Sequence, residues 1–198
     1  MAAVPNLEYC NNKMKGDVMQ ISKLELKNIS YYKQGSEETP CYNATVYING
    51  KKAVEVSNDG RGGSDRQLTY PQFMEEWDRR KTLDQRYSHM VNFLQTLDQY
   101  CVKTFGTKKY EWGEIDIDLE HWCQDRLYEH VDQKKLKRDM KTKFICVDIE
   151  KNELYAYEKK GHSDVAFQKH MEKNHPNDTC LNFLEFDLAF KFYRSGVV

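Results

Sequence analysis

The chain has 198 residues, which is enough for one compact domain or two small ones. Hydrophobic residues make up 39% and aromatic residues 13% of it, so the composition supports a packed core and argues against a disordered chain. Charged residues make up 31% but almost cancel, to a net charge of −1. This balance argues against a general nucleic-acid binder, which is strongly basic, and against an acidic mimic of DNA.

The six cysteines are scattered along the chain and form no CxxC pair, which argues against a zinc ribbon and a thioredoxin-like motif. The N-terminal segment lacks the apolar stretch of a secretory leader. No run of residues approaches the ~18 apolar residues of a membrane helix. We therefore expect reduced thiols in a cytoplasmic protein that makes no membrane contact.

The first third of the chain shows the period-two alternation of half-buried strands. Residues 21–32 predict one strand, and residues 42–48 predict a second that runs into the hairpin signal Asn49-Gly50. A three-residue loop over residues 49–51 would pair Val46 with Val54 and Ala44 with Val56, which keeps one face apolar. A two-residue loop would place Glu55 opposite Ala44. The first register is favoured, and the N-terminal part is predicted to be a three-stranded antiparallel meander.

The glycine loop, residues 57–66, follows the second strand of this hairpin. Its glycines permit backbone shapes closed to other residues, and consecutive free N–H groups there would form an anion-binding nest supplemented by two arginines. The alternative is an ordinary surface loop that leads into a helix. Walker A, dinucleotide and EF-hand patterns do not fit it. The residues predicted to bind a partner or a phosphate are Asn58, Asp59, Gly60, Arg61, Gly62, Gly63, Ser64, Asp65 and Arg66.

The run ATVYINGKKAVEVSNDGRGG, residues 44–63, resembles a strand–turn–strand–glycine-loop segment of accessory proteins from bacteriophages and other bacterial mobile elements. The resemblance covers about the first third of the chain. It implies a small protein made in a bacterial cytoplasm that acts on a host component. It brings no assigned activity and no catalytic residue.

Helices are predicted in the centre of the chain. One begins at Thr69-Tyr70-Pro71 and carries Phe73, Met74 and Trp77. A longer helix covers residues 83–105, where apolar residues recur every three or four positions, and Gly106 ends it. This helix is the expected structural spine.

The acidic segment of residues 111–120 has two interpretations. Glu114, Asp116 and Asp118 would be paired carboxylates for acid–base or metal chemistry. The favoured interpretation is a short edge strand that leads into a helix with Asp118 as its N-cap. On that helix His121, Cys123 and His130 do not share a face with the spacing that one metal ion needs, so no metal site is predicted.

A basic run follows on the same helix and consists of Lys134, Lys135, Lys137, Arg138, Lys141 and Lys143. It is a possible phosphate contact, Lys134, Lys135, Lys137 and Arg138 above all. A solvated helix end, where basic residues favour the helix dipole, is the favoured alternative.

The C-terminal part begins with a predicted hairpin of residues 144–149 and 153–158, in which Val147 faces Tyr155 and Ile145 faces Tyr157. A short helix capped by Ser163 or Asp164 follows and ends at His175-Pro176. Residues 186–193 alternate and predict a strand, and a helix through Leu181, Leu184 and Leu188 is the alternative. The nearness in sequence of His162, His170, His175 and Cys180 is attributed to chance.

Together these patterns predict an α+β fold with an N-terminal meander, central helices, and a C-terminal hairpin, helix and strand. The expected domains are residues 1–108 and 109–198, divided within residues 105–113, or a single domain 1–198. The sequence contains no catalytic constellation and no cofactor motif, which favours a non-enzymatic protein without settling the point. The oligomeric state is left open.

The function that we expect is binding and inhibition of a bacterial host factor, with a defence component as the anticipated target. Trp77, Trp112 and Trp122 would supply interface anchors where they are exposed. The alternative is binding of nucleic acid or a phosphorylated small molecule by the glycine loop and the basic run. A third option is a hydrolase that uses the acids near Asp116.

Overall fold

The computed structural model describes residues 20–70 and 82–195 and has the α+β fold that the sequence predicts. The helix predicted around Phe73, Met74 and Trp77 lies outside the described residues, and so does Cys10. The chain groups into two compact units, the first ending at Gln124 and the second beginning at Asp125. The domain boundary expected within residues 105–113 stays a prediction, because compactness does not test whether a part folds alone.

The first unit contains a four-stranded antiparallel sheet in sequential order. Its strands are β1 (Leu24–Tyr31), β2 (Tyr42–Ile48), β3 (Lys51–Asn58) and β4 (Arg66–Thr69). The meander is thus confirmed and has one strand more than predicted. The glycine loop leads into β4 and not directly into a helix.

The β2–β3 hairpin has the predicted pairs, Val46 with Val54 and Ala44 with Val56. The turn itself has two residues and not three, because Ile48 pairs with Lys51 and both Asn49 and Gly50 have positive φ. A β-bulge at Ala53 absorbs the extra residue and restores the register, which leaves both Ala53 and Val54 fully buried. The apolar pattern therefore predicted the residue pairs but not the two-residue turn and the β-bulge that produce them.

Among its described residues, the first unit also contains helix α1 (Leu83–Phe105), the hairpin of β5 (Thr107–Tyr110) and β6 (Gly113–Asp116), and the start of helix α2 (Leu119–Thr142). Helix α1 has the predicted bounds. Thr82 and Gln85 form a capping box at its start, and Gly106 with φ +73° ends it. Leu97 and Cys101, on the apolar face of this helix, are buried.

The second unit contains the rest of α2 and a three-stranded antiparallel sheet in the order β8-β7-β9. The strands are β7 (Lys143–Asp148), β8 (Glu153–Glu158) and β9 (Asp178–Cys180). Helix α3 (Asp164–Asn174) begins at the predicted cap Ser163, whose Oγ accepts from Ala166 N–H, and ends at His175. A short 3-10 turn (Leu181–Phe183) precedes helix α4 (Phe186–Ser195).

Strand β7 is buried on both faces and organises the second unit. Ile145 and Val147 point into a cluster with Leu136 of α2 and with Phe190 of α4. On the opposite face, a second cluster consists of Phe144, Cys146, Phe167, Met171 and Cys180. A continuous apolar run such as FICV is typical of a strand that has core on each side.

The predicted register of the β7–β8 hairpin is wrong by one residue. Val147 pairs with Leu154 and Ile145 with Ala156, whereas Tyr155 faces Cys146. The Asp148 side chain accepts hydrogen bonds from Glu150 N–H (3.1 Å) and Lys151 N–H (3.0 Å). The turn therefore begins directly after Asp148, one residue earlier than predicted, and Ile149 is exposed. Asn152 has the predicted left-handed conformation, with φ +56°.

The strand predicted over residues 186–193 is also wrong, because this segment is helix α4. Its aromatic residues fit a period of 3.6 as well as a period of 2. Phe190 and Tyr193 are buried, and Phe186 stacks on Phe190 with a centroid distance of 6.2 Å. Leu188, which a strand would place on the same face as Phe190, is 45% exposed.

Candidate functional site

The glycine loop is held from inside by two buried polar side chains, Asn58 and Asp65. Asn58 Nδ2 donates to Asp65 Oδ1 at 3.1 Å and to Gly63 O at 3.2 Å. The Tyr42 hydroxyl donates to the second Asp65 oxygen. Both ends of the loop are thus tied to buried groups, which favours one loop shape over many.

A second contact fixes the middle of the loop. The Gly60 carbonyl accepts hydrogen bonds from the backbone N–H groups of Glu37 and Glu38 at 2.9 Å and of Thr39 at 3.3 Å. Gly60 has φ +86°, and a Cβ there would lie 1.9 Å from the Gly35 carbonyl oxygen. The close approach of the two backbone segments therefore requires glycine at position 60.

The backbone donors at the centre of the loop are engaged within the chain. Gly60 N–H donates to Asn58 Oδ1 at 2.9 Å, Arg61 N–H to Asp59 Oδ1 at 3.2 Å, and Gly62 N–H to Thr39 Oγ1 at 3.2 Å. An anion bound there would have to displace these acceptors. The side chains of Asp59, Arg61, Ser64 and Arg66 are exposed. The loop thus offers its charged side chains to a partner more readily than its backbone donors.

Three carboxyl groups of the first unit, those of Asp65, Asp98 and Glu120, have raised pKa values. Asp65 N–H donates to the Glu120 carboxylate, and Leu119 N–H donates to Asp98 Oδ1 at 3.2 Å. Burial is the largest cause that raises the pKa of Asp65, Asp98 and Glu120, and the negative charge of Asp118 raises each of them further. A carboxyl with a raised pKa is suited to donate a proton, but these groups are already engaged in supporting the loop and the start of α2.

The structure brings Asp65 and Asp118, which the sequence placed in separate candidate sites, close enough to interact electrostatically. Asp118 is the predicted N-cap, since its Oδ1 accepts from His121 N–H at 2.9 Å and lies 2.8 Å from His121 Nδ1. Glu114 and Asp116, by contrast, are exposed on β6. Asp118 is thus engaged in capping α2, whereas Glu114 and Asp116 are open to solvent.

Cys123 lies on the buried side of α2, and burial raises the pKa of its thiol. His130, on the same helix, has its pKa lowered by burial and by Lys134 and Lys137. Within the parts of the chain that the structure describes, no group of three His, Cys, Asp or Glu side chains has the arrangement of a metal site.

The β5–β6 hairpin carries an aromatic pair, the half-buried Tyr110 and the exposed Trp112, which we call the aromatic tip. Trp112 is 73% exposed and stacks on Tyr110 at a centroid distance of 5.3 Å and an interplanar angle of 17°. Lys108 Nζ lies 5.6 Å from the Tyr110 ring centroid. Of the predicted tryptophan anchors, Trp112 is available to a partner, Trp122 is buried, and Trp77 lies outside the described residues.

The basic run lies on α2 in the second unit. The side chains of Lys134, Lys137, Arg138 and Lys141 follow the spacing of one helix face, opposite buried Leu136. Lys137 Nζ lies 4.3 Å from the Phe186 ring centroid, and Arg138 Nε lies 3.3 Å from Asp139 Oδ1. Lys135 is exposed on another side of the helix, and Lys143 begins β7 and lies 3.5 Å from the Glu158 carboxylate.

Two of the C-terminal histidines, His170 and His175, are neighbours in the structure. The ring centroids of His170 and His175 are 5.8 Å apart. His175 Nδ1 lies 3.3 Å from Asp178 Oδ2, and His175 Nε2 lies 3.4 Å from the Tyr157 hydroxyl. These contacts connect the end of α3 to β8 and β9.

Sequence reasoning missed Tyr42, Thr39 and Glu120 as supports of the glycine loop. Each lies 19 residues or more from its partner in the loop along the chain, so no local pattern identifies it. Asp65 was included only as one polar residue among several. The signal that was available is the polar pair Asn58 and Asp65 at the two ends of a glycine-rich segment.

No protein-family model matches this chain, and no curated protein or solved structure is significantly similar to it. Among residues 20–70 and 82–195, no helix combines the length and the apolar character needed to cross a membrane.

Proposed function

We propose that this protein is a non-enzymatic accessory protein of a phage or mobile element that binds and inhibits a host factor in the bacterial cytoplasm, with a defence component as its target. The observation that carries the proposal is the glycine loop. Its exposed charged side chains project from a backbone that buried hydrogen bonds hold in one conformation. Binding through a preformed loop avoids much of the entropy cost of ordering it at the interface. The contact residues in this proposal are Asp59, Arg61, Ser64 and Arg66, with Asn58, Gly60, Gly62, Gly63 and Asp65 as their support.

Trp112 adds a second contact to the proposal. Tryptophan and arginine are the residue types over-represented among the few side chains that contribute most of the energy at protein interfaces. A tryptophan that is 73% exposed and braced by Tyr110 has little rotamer freedom to lose on binding. We therefore assign Arg61, Arg66 and Trp112 as the anchors of the interface.

The proposal is tested by capture of partners from a bacterial lysate with the tagged full-length protein after nuclease treatment. We expect a stoichiometric protein partner that survives the nuclease and is depleted when the bait is Trp112→Ala or Arg61→Ala/Arg66→Ala. Capture that all baits share equally would contradict the assigned surface. Loss of all captured material on nuclease treatment would contradict protein binding as the function.

A second candidate function is the binding of nucleic acid or a phosphorylated molecule, and the alignment of four basic side chains on one face of α2 favours it. Phosphate contacts release counterions, so the logarithm of the affinity falls linearly with the logarithm of the salt concentration, with a slope of about −0.9 per phosphate contact on duplex DNA.

This candidate predicts that a labelled DNA duplex binds with a steep dependence on salt in fluorescence anisotropy. The substitution Lys134→Glu/Lys141→Glu should weaken binding and reduce the slope by about 2, whereas Lys169→Glu/Lys173→Glu on α3 should leave the slope unchanged. Binding that is independent of salt, or equally sensitive to both pairs, would exclude the basic run as a phosphate-binding face.

A further inference from the structure

Cys146 and Cys180 face each other across two hydrogen-bonded strands of the second unit. Cys146 is in the centre of β7, Cys180 ends β9, and the two are direct register partners in an antiparallel pair. Directly opposite residues in such a pair have Cα atoms about 4.5 to 5.5 Å apart, which lies within the range of roughly 4.4 to 6.8 Å that a disulfide spans. The Cys180 Sγ also lies 4.0 Å from Asn182 Oδ1, to which it donates a weak hydrogen bond.

The two thiols differ in access and in acidity. Cys146 is fully buried, whereas Cys180 is 7% exposed. The neighbouring Cys146 thiol is the largest of the causes that lower the pKa of Cys180, and the backbone N–H of Asn182 and the charge of Lys159 act in the same direction. The neighbouring Cys180, together with burial, raises the pKa of Cys146. Cys180 is therefore the thiol that ionises first and that a reagent reaches first.

We propose that Cys146 and Cys180 form a thiol–disulfide exchange site that reacts with small-molecule disulfides of the glutathione class and closes a reversible cross-strand disulfide. The proposal rests on the register of β7 and β9, which places the two cysteines directly opposite each other. It does not depend on the proposed binding function, because all the residues it needs lie in the second unit.

The exchange takes place in two balanced steps. The Cys180 thiolate attacks one sulfur of the oxidised small molecule, the S–S bond of that molecule breaks, and one thiolate leaves with its electron pair. The Cys146 thiol loses its proton to solvent and attacks Cys180 in the mixed disulfide, which releases the second small-molecule thiolate. The protein dithiol is oxidised by two electrons, and one small-molecule disulfide is reduced to two thiols.

The consequence is a covalent link between β7 and β9. Strand β9 has only three residues and three register pairs with β7, so it depends on few hydrogen bonds. Asp178, at its other end, accepts from the Tyr155 hydroxyl and contacts His175. The disulfide would hold this edge strand, and the His175 contacts next to it, in place.

The test incubates the reduced full-length protein with oxidised glutathione, blocks the remaining thiols by alkylation, and identifies linked peptides by mass spectrometry. We expect a mass loss of about 2 Da before alkylation, a peptide that joins Cys146 to Cys180, and reversal by dithiothreitol. Cys180→Ser should abolish the link, and Cys146→Ser should stop the reaction at a glutathione adduct on Cys180.

The matched control is Cys101→Ser in the first unit, where burial raises the pKa of the native thiol to about 12. This variant should form the Cys146–Cys180 link as the unchanged protein does. Full alkylation of Cys146 and Cys180 in the unchanged protein after oxidation would overturn the proposal. A persistent glutathione adduct that Cys146 never displaces would overturn it as well. Neither outcome depends on the folding of a variant.

Discussion

Asp65 shows how one residue connects the sheet, the glycine loop and the start of α2. Its carboxylate accepts from Tyr42 and Asn58, and its backbone N–H donates to Glu120. Burial is the largest cause that raises its carboxyl pKa above the ordinary value of 3.8, so the folded protein carries a desolvation cost when Asp65 is ionised. The hydrogen bonds offset part of that cost and also fix the loop.

The raised pKa of Asp65 gives the stability a pH dependence. Because the folded-state pKa is higher than the unfolded-state pKa, the folded state binds more protons in the window between them. The stability from this group is fully present below the ordinary value of 3.8 and is lost as the pH rises through the folded-state pKa. The raised pKa values of Asp98 and Glu120 change the stability with pH in the same direction.

Asp65→Asn should therefore flatten the fall of the free energy of unfolding as the pH rises from about 4 to 7, which urea denaturation measures. Asp59→Asn is the matched control, since Asp59 belongs to the same loop but is exposed. If the pH profiles of Asp65→Asn and the unchanged protein coincide, Asp65 is not the group responsible.

Gly60 supplies a prediction about backbone geometry. Gly60→Ala places a Cβ 1.9 Å from the Gly35 carbonyl oxygen at a φ of +86°, so it should lower the free energy of unfolding by about 2 kcal/mol or more. Gly63→Ala has a similar φ of +83° but no atom within 4 Å, so it should cost only about 1 kcal/mol. Thermal unfolding separates the two variants, and equal losses would mean that the contact with Gly35 does not fix the loop.

At the scale of elements, prediction succeeded where local chemistry and the apolar period agree. Helix α1 has an apolar stripe, the Thr82 capping box and Gly106, and its bounds follow from them. The β2–β3 pairs follow from the requirement that one face stay apolar. Strands β4, β5 and β9, of three or four residues each, are too short to show a period, so their partners alone specify them.

The errors have local physical causes. At Asp148, hydrogen bonds to two backbone N–H groups move the β7–β8 turn by one residue. In α4, the aromatic residues at positions 186 and 190 satisfy both periods, and only the position of the buried core around Leu136 and Leu181 decides between them. Tyr42, Thr39 and Glu120 were not predictable as supports of the glycine loop because they come from other parts of the chain.

The assignment of α4 as a helix is itself testable by two substitutions. Phe190 is buried and Leu188 is 45% exposed, although a strand would place both on one face. Phe190→Ala should cost about 3 to 5 kcal/mol, whereas Leu188→Lys should change the free energy of unfolding by about 0.5 kcal/mol or less. Chemical denaturation measures both, and a large loss for Leu188→Lys would indicate the strand.

At the scale of the whole molecule, the features that bear on function divide between the two compact units. The glycine loop and the aromatic tip belong to the first unit, and the basic run and the Cys146–Cys180 pair belong to the second. The proposed binding, the alternative phosphate contacts and the proposed thiol exchange can therefore be tested by different substitutions. The net charge of −1 gives no long-range attraction to nucleic acid as a whole, so specific surfaces must account for any affinity.

Calorimetric titration of the captured partner with Arg61→Ala/Arg66→Ala tests the proposed contact between the glycine loop and the protein partner. We expect at least a tenfold weaker affinity, about 1.4 kcal/mol, with the melting temperature nearly unchanged because both side chains are exposed. The control Lys51→Ala/Lys103→Ala removes the same charge from exposed positions outside the loop and should bind as the unchanged protein does. Unaltered affinity in the folded arginine variant would show that the loop is not part of the interface.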